Sequence, residues 1–112
     1  MPTSQDAVAA GNAASKQHYT LYAANGRVYA RNVSQKVIDL GELTLRDDSW
    51  CYLLDGNKLS GEGFFTEEEA LRDIGQRLHF LWLDGQFTAV ADSRESPGFS
   101  LERAASLDVD LD

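Results

Sequence analysis

The residues of this chain that could do metal or thiol chemistry are two histidines and one cysteine. Neither His18 nor His79 has a Cys, His, Asp or Glu at the spacing of a zinc site. Cys51 lies in an apolar run, which is typical of a small core residue rather than of a reactive thiol. The sequence therefore predicts no metal site and no cofactor.

Neighbouring carboxylates, which can serve as general acid and base, occur at Asp47 with Asp48 and at Glu68 with Glu69. The first pair lies in a predicted turn and the second in the first turn of a predicted helix, where acids are usually solvated. Residues 55–61 begin like a calcium loop, but Leu59 stands where the loop needs an oxygen ligand. The sequence predicts a protein without catalytic activity.

Two tyrosines and two arginines form the first candidate binding site. The dipeptide Asn25-Gly26 lies between two runs of alternating apolar residues and predicts a type I′ hairpin. In that register Tyr22 pairs with Tyr29, and both share a solvent-directed face with Arg27 and Arg31. Such a set can stack on single-stranded nucleic-acid bases or anchor a protein interface. The alternative is a cross-strand aromatic pair that only stabilises the hairpin.

Acidic residues form the second candidate site. The net charge is −8, and residues 37–112 hold 17 acids and 6 bases, whereas residues 1–36 hold 1 acid and 4 bases. This charge opposes general DNA binding, which depends on neutralised phosphates. Spaced carboxylates can instead imitate nucleic-acid phosphates and block a basic protein, with Glu67, Glu68 and Asp73 as predicted contact positions. The alternative is that the acids only keep the protein in solution.

A capping box predicts the start of the main helix. Thr66 is followed three residues later by Glu69, and Phe65 stands at the position of a hydrophobic staple. Apolar residues then recur at helical spacing as far as Trp82, so we expect one long helix that ends at residues 84–85.

A second interpretation ends this helix near Leu78 and makes residues 79–91 a hairpin around residues 84–85. Phe80 favours it, because this residue lies opposite the apolar stripe of the longer helix. In both interpretations residues 86–91 form a strand.

Alternating apolar residues predict the strands of a sheet. The alternation changes phase at Gly41, and a bulge there would keep the apolar residues of this strand on one side. Residues 46–49 are a predicted turn, and residues 50–54 and 59–65 are predicted strands. The predicted core contains Leu21, Val28, Ile38, Leu40, Leu43, Leu45, Trp50, Tyr52, Leu54, Phe64, Leu71, Ile74, Leu78 and Leu81.

These elements predict the α+β class, with an antiparallel sheet of four to six strands and one main helix packed on one face. Residues 1–17 are a predicted flexible tail, and residues 18–92 a predicted single domain. Residues 93–112 are a predicted acidic tail, frayed or with a short helix over residues 101–107.

The sequence favours a small binding protein that acts by protein–protein contact. A nucleic-acid mimic that inhibits a DNA- or RNA-binding protein is the first alternative, and single-stranded nucleic-acid binding by the tyrosine and arginine face is the second. No apolar run is long enough to cross a membrane, and the single cysteine favours a soluble cytoplasmic protein. The partner's identity and the oligomeric state are not encoded in any recognisable pattern.

Overall fold

The computed structural model describes residues 17–111, which form six strands and two α-helices. The strands are β1 (Gln17–Ala24), β2 (Arg27–Arg31), β3 (Val37–Arg46), β4 (Ser49–Leu54), β5 (Ser60–Phe64) and β6 (Ala105–Leu111). The helices are α1 (Glu67–Arg77) and α2 (Phe80–Ala89), and a short 3₁₀ turn follows at Ser93–Glu95.

All six strands belong to one antiparallel sheet with the order β5-β4-β3-β2-β1-β6. The first five strands follow one another as a meander, and β6 returns to the free edge of β1. This confirms the α+β class and the antiparallel sheet. The single helix was wrong, since two helices pack against the same face, hereafter the inner face.

Two tight turns set the strand register. Asn25 and Gly26 have φ angles of 57° and 74°, which confirms the type I′ hairpin. The turn between β3 and β4 has the same character, with φ angles of 52° and 66° at Asp47 and Asp48. Asp tolerates this left-handed region better than most residues do.

The predicted bulge in β3 is confirmed. Val28 pairs with Gly41 and Tyr29 pairs with Asp39, so Leu40 is the extra residue. Gly41 has a φ of 156°, and a Cβ there would lie 2.4 Å from the Leu53 carbonyl oxygen. Because only glycine fits so close to the Leu53 carbonyl oxygen, the bulge is fixed at this position.

Helix α1 begins as predicted, with one difference. The Thr66 hydroxyl accepts the Glu69 backbone N–H at 3.1 Å, which confirms the helix start. The Glu69 carboxylate accepts the Phe65 N–H at 3.1 Å, one residue earlier than in a standard capping box. The hydrophobic staple was wrong, because Phe65 is 81% exposed.

The predicted long helix is interrupted. Helix α1 ends at Arg77, and Leu78 and His79 are extended, with ψ angles of 145° and 140°. The second interpretation is therefore confirmed for the helix end near Leu78. Residues 80–89 are helical, so its hairpin over residues 79–91 and the strand over residues 86–91 were wrong. The break turns α2 so that Phe87 stacks on Tyr19, with ring centroids 5.6 Å apart. This packing outweighs the β propensity of residues 86–91.

The predicted C-terminal tail or short helix was also wrong for residues 105–111, which pair with β1 from Leu111 opposite Gln17 to Ala105 opposite Ala23. Their apolar residues alternate with Ser106, Asp108 and Asp110, as expected for a strand with one buried face. The sheet therefore extends beyond residue 92. The predicted N-terminal tail lies outside the described residues except for Gln17, which begins β1.

The core lies between the inner face of the sheet and the two helices. Leu45 and Leu81 were wrongly assigned to it, since they are 57% and 80% exposed, and Trp50 and Phe64 are only partly buried. Within residues 17–111, neither helix has the length and apolar character needed to span a membrane. The buried core residues are Tyr19, Leu21, Ala23, Val28, Ala30, Ile38, Leu40, Leu43, Tyr52, Leu54, Ala70, Leu71, Ile74, Leu78, Leu83, Phe87 and Leu111.

Candidate binding surfaces

The first surface is the predicted face of tyrosines and arginines on β1 and β2, which is the outer face of the sheet. Tyr22 pairs with Tyr29, and Thr20 pairs with Arg31, as the hairpin register predicted. Tyr29 is only 7% exposed, however, because the Phe99 ring packs edge-on against it at 5.1 Å. The prediction that both tyrosines face solvent was therefore wrong for Tyr29.

The segment that carries Phe99 is tied to the sheet at both ends. The Asp92 carboxylate accepts the Val37 backbone N–H at 3.3 Å and the Arg94 guanidinium at 2.6 Å. These bonds, with the Arg94 side chain contributing most, hold the pKa of Asp92 well below its usual range. At the other end, the Asn25 amide donates to the Ser100 carbonyl at 3.5 Å.

Both arginines of this surface already have partners within the chain. Arg27 Nε contacts the two Asp39 carboxylate oxygens at 3.1 and 3.0 Å, and its Nη2 donates to Asp55 at 2.9 Å. The hydrogen bond to Asp39 is the main cause that raises the Arg27 pKa. Arg31 lies over the Tyr22 ring, 5.4 Å from its centroid. Little of this surface is left free to stack on a base.

The second predicted site is divided between two environments. Glu68 is exposed, and Glu67 is partly buried, which together with the nearby Glu68 charge raises the Glu67 pKa. Asp73 is not a free surface acid, because it accepts a hydrogen bond from the Tyr52 hydroxyl at 2.5 Å. The premise that all three acids are exposed was therefore wrong for Asp73.

Asp73 belongs to a polar network that fastens α1 to the sheet. Arg77 Nη1 donates to Tyr52 Oη at 2.8 Å and to the Ser60 carbonyl at 2.7 Å, and lies 3.4 Å from Asp73. Burial, followed by the hydrogen bond to Asp73, raises the pKa of Tyr52 to about 12. The network stabilises the protonated tyrosine and joins α1 to β4 and β5.

A third polar group lies on the outer face, where β1 meets β6. His18 Nδ1 is 2.9 Å from Asp110 Oδ1, and its Nε2 is 4.0 Å from Asp108. The Thr20 hydroxyl donates to Asp108 at 2.9 Å. These contacts bridge the two strands. Within residues 17–111 no group of three or more His, Cys, Asp and Glu side chains has the arrangement of a metal site.

A shallow cleft of about 490 Å³ lies on the outer face over β3, β4 and β5, and Cys51 lines it. The Cys51 Sγ lies 3.7 Å from Thr44 Oγ1 and 3.6 Å from the Thr44 carbonyl oxygen. Neither group is a base that could activate a thiol. Glu42, Arg46 and Glu62 also line the cleft, so its rim carries both signs of charge.

The last surface is apolar and lies where β3 and β5 end and β4 begins. Leu45, Trp50 and Phe64 are register partners, so they form one row across three strands. The preceding row, Leu43 with Tyr52, is 1% and 3% exposed. The last row thus continues the inner face past the edge of the core.

We call this surface the end patch and define it as Leu45, Trp50, Phe64 and Phe65. Leu45 is 57% exposed, and Phe65, the residue after Phe64, is 81% exposed. Sequence reasoning placed the first three in the core and Phe65 in a staple. The signal that could have identified the patch is the position of Leu45, one residue before the end of β3, in the last row of the hairpin.

Comparison with known proteins gives no family for this chain: no family model, curated protein or solved structure matches it.

Proposed function

We propose that the protein is a non-catalytic binding protein that acts by contact with another protein through the end patch. The observation that carries this proposal is the apolar row of Leu45, Trp50 and Phe64, in which Leu45 is exposed and the two aromatic residues are partly buried, next to the exposed Phe65. A cytoplasmic location, favoured by the single cysteine, is part of the same proposal.

The composition of the end patch supports protein binding. Trp and Phe are enriched in protein interfaces, and a few large aromatic residues usually provide most of the binding free energy. Trp50 and Phe64 lie on paired strands next to the core, and Phe64 stacks on Tyr52 at 5.9 Å. Side chains held in this way lose little conformational entropy on binding.

The other two predicted functions have less support from the geometry. Nucleic-acid stacking needs exposed aromatic rings, and Phe99 covers Tyr29. Phosphate mimicry needs free carboxylates, and Asp73 is engaged by Tyr52 and Arg77. Both remain predictions, and we place the protein-binding proposal first.

Affinity capture from the source cell tests the proposal. The wild type, Phe65→Ser and the matched control Leu81→Ser serve as baits, with nuclease treatment to remove bridging nucleic acid. Phe65 and Leu81 are 81% and 80% exposed, and the 11 residues of α1, about 16 Å in length, lie between them in the chain. Quantitative mass spectrometry then compares the captured proteins.

We expect a partner that the wild type and Leu81→Ser enrich equally and that Phe65→Ser loses. The urea midpoints of both variants should match the wild type, because serine at either position leaves no cavity in the core. Equal recovery of every partner by Phe65→Ser and by the wild type would contradict the proposal.

A further inference from the structure

We infer that the partner presents a basic surface to the end patch: an apolar segment flanked by Lys or Arg side chains. This inference rests on the proposed function, and it adds the chemical class of the partner.

Carboxylates flank the end patch on both sides. Asp47 and Asp48 form the turn that follows Leu45 by two residues, and both are exposed. The exposed Arg46 precedes them, so residues 46–48 carry a net charge of −1. Glu67 and Glu68 follow Phe65 in the first turn of α1. An apolar patch between two groups of acids is complementary to an apolar segment between two groups of bases.

Asp47, Asp48 and Glu68 are exposed, and Glu67 is partly buried. Within residues 17–111, none of the ion pairs involves Asp47, Asp48, Glu67 or Glu68. Burial, followed by repulsion from the Glu68 charge, raises the Glu67 pKa, and Arg103 lines the same cleft as Glu67. A basic side chain near Glu67 and Glu68 would relieve that repulsion.

The same charges argue against the other occupants of an exposed apolar surface. A second copy of the chain would bring its own Asp47, Asp48 and Glu68 toward identical groups, and like charges destabilise an interface. An anionic lipid surface or a nucleic acid would be repelled in the same way. A basic protein segment is the occupant that both the apolar row and its acidic flanks fit.

The test uses nitrogen-15 NMR of the whole chain and three short synthetic peptides. The peptides share one apolar sequence and differ only in their flanking residues, which are Lys, Gln or Glu. Binding is followed at the Trp50 indole N–H and at the backbone amides of the end patch. NMR detects weak binding, so the peptides need not reproduce the natural partner.

A triple variant tests the role of the acids. Asp47→Asn, Asp48→Asn and Glu68→Gln remove three charges, and Asn keeps the left-handed turn that both aspartates adopt. Glu69 is retained, because its carboxylate accepts the Phe65 N–H. The control variant carries three exposed substitutions elsewhere, Asp84→Asn, Glu95→Gln and, in the outer-face cleft, Glu42→Gln.

We expect the Lys peptide to shift the end-patch signals and to bind about threefold to tenfold more weakly to the triple variant, because exposed ion pairs are individually weak. High salt should weaken binding to the wild type and the control, since the Debye length falls to about 3 Å at 1 M ionic strength. The Gln peptide should bind more weakly than the Lys peptide, and the Glu peptide weakest of all.

Four results would overturn the inference. Equal binding of the Gln and Lys peptides, or an unchanged affinity in the triple variant, would leave the end patch as a binding site without a charge requirement. End-patch signals that move with the protein's own concentration would identify a second copy as the occupant. If no peptide shifts these signals, the basic segment is rejected, while the capture experiment with Phe65→Ser still decides the proposed function separately.

Discussion

At the residue scale, the surroundings of a side chain, rather than its residue type, decide whether it is engaged within the fold or exposed for binding. Tyr29 and Asp73 looked equally suitable for binding, but Phe99 covers the first and Tyr52 binds the second. Phe65 looked like a helix staple and is 81% exposed. A register or a helical period predicts which face a side chain occupies, but not which distant segment covers that face.

Tyr52 gives a prediction at this scale. Its pKa is raised from 10.0 to about 12, so the stability that its protonated hydroxyl provides is complete below pH 10 and is lost as the pH rises toward 12. Tyr52→Phe should lessen the decline of the urea midpoint over this range. Some decline should remain, because burial also raises the Tyr19 pKa.

Tyr22→Phe is the matched control, because this ring lies on the outer face, outside the network of Tyr52, Asp73 and Arg77. The urea midpoint of Tyr22→Phe should decline with rising pH to the same extent as that of the wild type. A decline that is unchanged in Tyr52→Phe would mean that the network of Tyr52, Asp73 and Arg77 does not couple protonation to folding.

At the element scale, β6 completes the sheet, and its packing depends on one glycine. A Cβ at Gly75 of α1 would lie 2.8 Å from Val109 Cγ1. Gly75→Ala should therefore cost about 1–3 kcal/mol through overpacking, although the same change in an exposed helix interior is favourable by about 1 kcal/mol. Urea unfolding measures the difference.

Gly85 of α2 is the matched control, since a Cβ there meets nothing within 4 Å. Gly85→Ala should raise the stability by roughly 0.5–1 kcal/mol. The double variant Gly75→Ala with Val109→Ala should recover part of the loss, because the smaller side chain makes room. Similar stabilisation by both glycine substitutions would show that β6 does not pack on α1 as described.

Local signals predicted the elements that they control directly. Asn25 and Gly26, the bulge at Gly41 and the cap at Thr66 are confirmed because each depends on a few neighbouring residues. The packing of Phe87 in α2 on Tyr19 and the pairing of β6 with β1 depend on contacts between distant residues. The alternation in β6 was visible, but the sequence did not show that β1 had a free edge.

At the scale of the whole molecule, a partly exposed apolar row lies at one end of a sheet whose inner face packs against two helices. The end patch was missed because Leu45, Trp50 and Phe64 have the pattern of core residues, and only the reach of the helices decides which rows are covered. Its acidic flanks are consistent with the net charge of −8, which favours a basic partner over a nucleic acid.

The most direct test of protein binding by the end patch is the affinity of the purified captured partner for the wild type, Phe65→Ser and Leu81→Ser, measured by calorimetry. An interface centred on the end patch predicts a loss of about 2 kcal/mol or more for Phe65→Ser, roughly a thirtyfold weaker Kd. Leu81→Ser should stay within about 0.5 kcal/mol of the wild type. Equal affinities for Phe65→Ser and the wild type, or a loss confined to Leu81→Ser, would contradict binding through this surface.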